Sequence, residues 1–118
     1  MPRQFGFTRT LITTASAAAL LTFAASASAD PDAEAAKSLA RQNNCFKCHA
    51  VDKKKEAPAW RDVAKKYKGK ADAEAKLIHH VTSGEKVKFE DGHEEDHKII
   101  KAKSEADIKN LVDWILSL

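Results

Sequence analysis

An all-α fold of about four short helices is what this chain of 118 residues predicts, and three observations lead there. Beyond residue 30, apolar side chains recur at the three- and four-residue spacing of a helix face, not in the strict alternation of a half-buried strand. Asp, Ser and Pro stand where such faces begin, and Gly stands where one ends. No internal repeat, low-complexity block or linker divides residues 30–118, so they read as one domain.

The first helix is expected behind Asp30-Pro31, with Asp as cap and Pro in the first turn; Ala36, Leu39 and Ala40 mark its buried stripe. Trp60, Val63, Ala64 and Tyr67 fall at i, i+3, i+4 and i+7 and define a short second helix. A third runs from about Asp72 to Ser83, with Leu77, Ile78 and Val81 inward and Gly84 as its stop. The last is the clearest: Ser104-Glu105-Ala106-Asp107 resembles a capping box, and Ile108, Leu111, Val112 and Ile115 follow at helical spacing with Trp114 beside them. Between the last two helices, Glu85 to Lys103 reads as a loop. A loop of that length in so small a domain is usually functional or disordered.

Chemistry enters at Cys45-Phe46-Lys47-Cys48-His49. Cys-x-x-Cys-His is the attachment site of a c-type haem. Two thiols on one helical turn can each form a thioether with a vinyl group of one porphyrin, and the next residue brings an imidazole under the macrocycle, where its neutral nitrogen binds iron. Other uses of the pattern lack support. A redox Cys pair normally follows a strand, and helix precedes Cys45. A structural zinc site needs two more ligands, normally another Cys or Cys/His pair, and the chain has only two Cys. A disulfide across two residues would constrain almost nothing.

The N-terminus fits that chemistry. Arg3 and Arg9 precede an apolar run from Leu11 to Ala25, followed by Ala27-Ser28-Ala29. Residues 1–29 therefore read as a cleaved Sec-type signal peptide, and residues 30–118 as a mature periplasmic domain. The run is short and broken by Thr and Ser for a spanning helix, and no second apolar stretch follows, so the mature protein is expected to have no transmembrane segment. Cleavage would remove two Arg and no acid, lowering the net charge from +3 to +1. The basic character thus belongs to the precursor and gives no reason to expect nucleic acid as a partner.

With these residues in view, the domain resembles the small bacterial class I cytochromes c, monohaem electron carriers of the periplasm. The likeness runs over nearly all of residues 33–118. It is carried by the Cys45–His49 motif, by Ala57-Pro58-Ala59-Trp60-Arg61-Asp62-Val63-Ala64, and by Leu111-Val112-Asp113-Trp114-Ile115-Leu116. Ala57 departs from the Gly usual in the second block. The resemblance implies the cytochrome c fold, one covalently attached haem c bound through Cys45 and Cys48, and His49 as an axial ligand. It also implies that the Pro58 carbonyl accepts the outer N–H of that imidazole, which fixes the ring and strengthens it as a ligand.

Relatives complete the iron with a methionine in the loop before the last helix. The one Met of this chain is Met1, inside the segment expected to be removed. Histidine is the best substitute available. His97, seven residues before Ser104, lies nearer the methionine position of relatives than His93, eleven before it. His97 is therefore the expected distal ligand and His93 the alternative. A solvated role for both among the acids of Glu90–Asp96, and a separate metal site from His93, Glu94 and His97, are the other readings. His80 falls where relatives often carry a basic residue facing a haem propionate; the simpler reading of His79 and His80 is as ordinary surface or flank histidines of the third helix.

The expected function is single-electron transfer between periplasmic or membrane-bound redox proteins by a monomeric bis-histidine cytochrome. Lys53-Lys54-Lys55 and Lys65-Lys66-Tyr67-Lys68-Gly69-Lys70 are candidate steering charges toward an acidic partner, against the simpler reading of solvated faces. The alternative function is binding or sensing of nitric oxide or carbon monoxide at a labile or open distal position. An enzyme is not expected, since so small a haem domain has little room for a substrate pocket with its own acid and base.

Overall fold

The computed structural model describes Gly6 and residues 30–118. The expected signal peptide, Gly6 apart, lies outside the described residues. The domain runs α1 (Ala33–Gln42), a 3₁₀ turn (Cys45–Lys47), α2 (Trp60–Tyr67), α3 (Ala73–Ser83), a two-stranded hairpin of β1 (Lys86–Lys88) and β2 (Glu94–Asp96), and α4 (Glu105–Leu116).

The four expected helices are present. α1 starts later than its sequence suggested: Asp32, not Asp30, is the cap, and its carboxylate accepts the Ala35 N–H at 2.9 Å. Asp32 is placed to satisfy an amide that the first turn leaves without a partner. α3 ends at Gly84, which adopts the left-handed conformation (φ 70°) that lets the chain turn out of a helix. Ser104 caps α4 through the Asp107 N–H.

The segment Glu85–Lys103 is not an irregular loop throughout. β1 and β2 pair antiparallel, with Lys86 opposite Asp96, Val87 opposite Glu95 and Lys88 opposite Glu94. Cross-strand opposite charges favour this register. Gly92 (φ 93°) turns the tip, where the Phe89 N–H donates to the His93 carbonyl at 2.9 Å. Asp91-Gly92 was a legible turn signal; the flanking strands are too short and polar to read as strands by periodicity.

α4 is the hub, with α1, α2 and α3 all packed on it. Ala36 and Ala40 of α1 are fully buried, as is Val112 of α4, and small side chains at these positions bring the two backbones close. Trp60, Leu77, Val81, Ile100, Leu111, Trp114 and Ile115 complete the core. Burying a side chain the size of Leu111 contributes about 1.5–3 kcal/mol. α1 is clamped to α4 at its start as well: Asn110 accepts the Asp32 N–H at 2.8 Å and donates to the Asp32 carbonyl at 2.9 Å.

Candidate functional site

The attachment motif is shaped by its own short-range bonds. The Asn43 side chain closes α1, Asn44 takes a left-handed conformation (φ 58°), and the chain then winds into the 3₁₀ turn that begins at Cys45. The Cys48 N–H and the His49 N–H both donate to the Cys45 carbonyl, at 3.2 and 3.0 Å. The two thiols are thus carried on one turn, both partly exposed and both free. Burial pushes both thiols up from their ordinary range, and a bond from Cys48 to the Glu56 carboxylate adds to the effect there.

His49 is fixed on two sides. Its Nδ1–H donates to the Pro58 carbonyl at 3.0 Å; a carbonyl can only accept, so Nε2 carries the lone pair. Trp60 stacks on the imidazole at 5.4 Å between ring centres, and Phe46 and Trp114 hold Trp60 from the other directions. Bonds from Ala57 N–H to the Cys48 carbonyl and from Trp60 N–H to the Ala50 carbonyl, both 3.0 Å, keep the Pro58 segment beside the motif. Burial holds His49 below the usual imidazole range, the state a metal ligand needs.

His97 faces His49. Their ring centres are 6.4 Å apart, with the planes tilted by 57°. Two imidazoles bound through Nε2 on opposite sides of one metal ion, at the usual metal–nitrogen distance of about 2.0–2.1 Å, have ring centres about 6 Å apart. His97 Nδ1–H donates to the Lys98 carbonyl at 3.0 Å, so its Nε2 also carries the lone pair. Burial lowers its pKa, and the neighbouring His80 lowers it further. The two rings have matching tautomers, matching neutrality and a separation that suits one ion between them. With two thiols beside His49, the residues present fit a covalently attached haem.

His93 is elsewhere. It is exposed on the hairpin, stacked on Phe89 at 4.3 Å, with Nδ1 against the Asp91 carboxylate and Nε2 3.2 Å from Glu95. The bond to Asp91 raises its pKa, the opposite direction from His49 and His97. Among the described residues no cluster of three His, Cys, Asp or Glu is arranged to hold a metal ion, so His93, Glu94 and His97 do not form the separate site considered from sequence.

Three contributors to the site were not legible in the sequence. Trp60 read only as a core residue of α2. His80 read as a flank histidine or a propionate contact; its ring lies 4.1 Å from His97 and its Nδ1–H donates to Glu85 at 2.5 Å. Asn43 carried no signal at all. The lysine runs are partly engaged: Lys54 pairs with Glu90, Lys55 bonds the Phe46 carbonyl, and Lys66 and Lys70 flank the Tyr67 ring.

Comparison with known proteins points to one family. The family model described as "Cytochrome c" matches residues 33–118. A cytochrome c-552 of Nitrosomonas europaea is 39% identical over 102 residues, which cover 86% of this chain and 90% of that protein. A cytochrome c-551 of Allochromatium vinosum is 38% identical over 88 residues, covering 75% and 90%. The crystal structure of class 1 cytochrome MtoD from Sideroxydans lithotrophicus ES-1 superposes with a TM-score of 0.71 at 73% identity, covering 74% of this chain and 96% of that one. The crystal structure of Nitrosomonas europaea cytochrome c552 gives 0.55 at 36% identity, covering 69% and 96%.

Proposed function

This chain belongs to the cytochrome c family, and we propose that within it the protein is a periplasmic carrier whose haem iron is held by two histidines, His49 and His97. Family membership brings one covalently attached haem c, electron transfer and no enzymatic turnover. The bis-histidine reading rests on one observation, the 6.4 Å approach of two neutral rings whose Nδ1 atoms are both spent on backbone carbonyls.

Bound haem supplies the redox chemistry by cycling iron between ferric and ferrous states. The protein does the rest. Cys45 and Cys48 anchor the group, and Pro58 and Trp60 hold the His49 ring in one orientation. The Lys98 carbonyl keeps Nε2 of His97 available, while His80 limits the rotation of that ring. Two fixed ligands leave little to rearrange when the charge on iron changes. Histidine in place of methionine sets a lower potential than in methionine-ligated relatives, suited to periplasmic or membrane-bound donors and acceptors. Export by the leader in residues 1–29 and action as a monomer complete the proposal. No described helix is long and apolar enough to cross a membrane.

The test is the spin state of the holoprotein. His97→Ala should convert low-spin iron to high-spin at neutral pH, and His93→Ala should leave the low-spin spectrum intact. Low-spin iron in both variants would overturn the assignment. High-spin iron in the wild type, with rapid carbon monoxide binding, would favour the ligand-binding reading instead.

A further inference from the structure

Asn43 is the one buried polar side chain among the described residues, 5% exposed, and its amide is fully used. Its Oδ1 accepts the Lys101 N–H at 2.8 Å, and its Nδ2 donates to the Lys101 carbonyl and to the Leu39 carbonyl, both at 3.0 Å. The first two bonds reproduce the paired bonds one strand makes to another, with a side chain in place of a backbone. They join points 58 residues apart in sequence. One end is two residues before Cys45, and the other is four residues after His97.

We propose that Asn43 is a positioning residue for the distal ligand: it clamps the His97-bearing segment to the turn that attaches the haem, and so keeps His97 on iron against external ligands. The proposal rests on His97 being that ligand. The segment from His97 to Lys101 has two other ties, the His97 N–H to the Glu85 carbonyl and the Ile100 N–H to the Val81 carbonyl, each 2.9 Å. Both lead to α3 and the base of the hairpin. Among the hydrogen bonds of the described residues, those of Asn43 alone tie the segment to the start of the attachment turn, and so they set the register of His97 against the covalently held group. Since a buried amide left without partners is costly, the clamp has little reason to open while α1 is folded.

The molecule supplies its own control. Asn110 makes the same two-point clamp on the backbone of Asp32, at the opposite end of α1 and more exposed. A merely structural role for Asn43 predicts that carbon monoxide binding follows the loss of stability in the same way at both positions. The test uses the holoprotein and measures binding of carbon monoxide to the ferrous form, with thermal unfolding alongside. Asn43→Ala should speed carbon monoxide binding about tenfold, the effect of losing a buried two-bond contact, while Asn110→Ala leaves the rate within about twofold even where its melting temperature falls. Asn43→Asp keeps the volume and the acceptor for the Lys101 N–H but loses the donor; its rate should lie between wild type and Asn43→Ala, and it serves if the alanine variant does not accumulate. An unchanged rate in the Asn43 variants, or an equal rise in Asn110→Ala, would refute the clamp. Failure of the histidine assignment itself looks different, because wild type and His97→Ala would then bind carbon monoxide equally fast.

Discussion

The two histidines of the proposed iron site are held in opposite ways. On the His49 side, each hydrogen bond that shapes the ligand spans a dozen residues or fewer: Cys45 to His49, Cys48 to Ala57, His49 to Pro58 and Ala50 to Trp60. On the His97 side, the segment is set by bonds to Glu85, Val81 and Asn43, partners 12 to 58 residues from the groups they hold. A ligand held locally is formed whenever its segment forms. A ligand held by distant elements is in place only when the whole domain is folded.

The largest expected effect comes from the residue that serves the His49 side and the core together. Trp60 is 4% exposed and touches His49, Phe46 and Trp114. Trp60→Ala should cost about 3–5 kcal/mol of stability, read by denaturant unfolding of the holoprotein, and should broaden the His49 ring signals in NMR spectra of the low-spin form. A loss below about 1 kcal/mol would mean that the haem, not Trp60, holds that side together.

A smaller and one-sided effect is expected at Gly84. Its left-handed backbone strains any side chain, and an added Cβ would meet Ile99 Cδ1 at 3.2 Å. Gly84→Ala should cost about 1–2 kcal/mol and displace Ile99, two residues from His97. The imidazole resonances of His97 should therefore shift while those of His49 stay. Equal shifts on both sides would show that His49 and His97 are not held independently.

The cap of α4 acts on neither side in particular. Ser104→Ala should lower stability by about 1 kcal/mol, checked by thermal unfolding, with no change in spin state. The smallest effect belongs to the hairpin tip. Lys54→Ala removes an exposed pair with Glu90 and should change stability by no more than about 0.5 kcal/mol. A larger loss, accompanied by faster carbon monoxide binding, would show that the tip also braces the distal side.

Much of this was legible in residue order. Helix faces, the Gly84 stop and the Ser104 cap depend on neighbours within one or two turns, and α2, α3 and α4 lie where periodicity put them. The start of α1 was misread because two Asp residues compete there, and the one two positions later meets both the Ala35 N–H and Asn110. The hairpin was hidden because three-residue strands with exposed charged faces have no hydrophobic alternation to display.

What the sequence determined alone is the Cys-x-x-Cys-His turn with its imidazole: Cys45, Cys48 and His49 are close enough in sequence that local bonds suffice to arrange them. Spacing to Ser104 already favoured His97 over His93, but only tertiary structure brings the His97 ring to 6.4 Å from His49. His93 and His97 are four residues apart in one acidic stretch and equally polar. The hairpin register sends His93 out to Asp91, Glu95 and Phe89, and the ties to Glu85, Val81 and Asn43 turn His97 inward. Those ties come from α1, α3 and the hairpin base, and nothing in the local order of residues 85–103 specifies them.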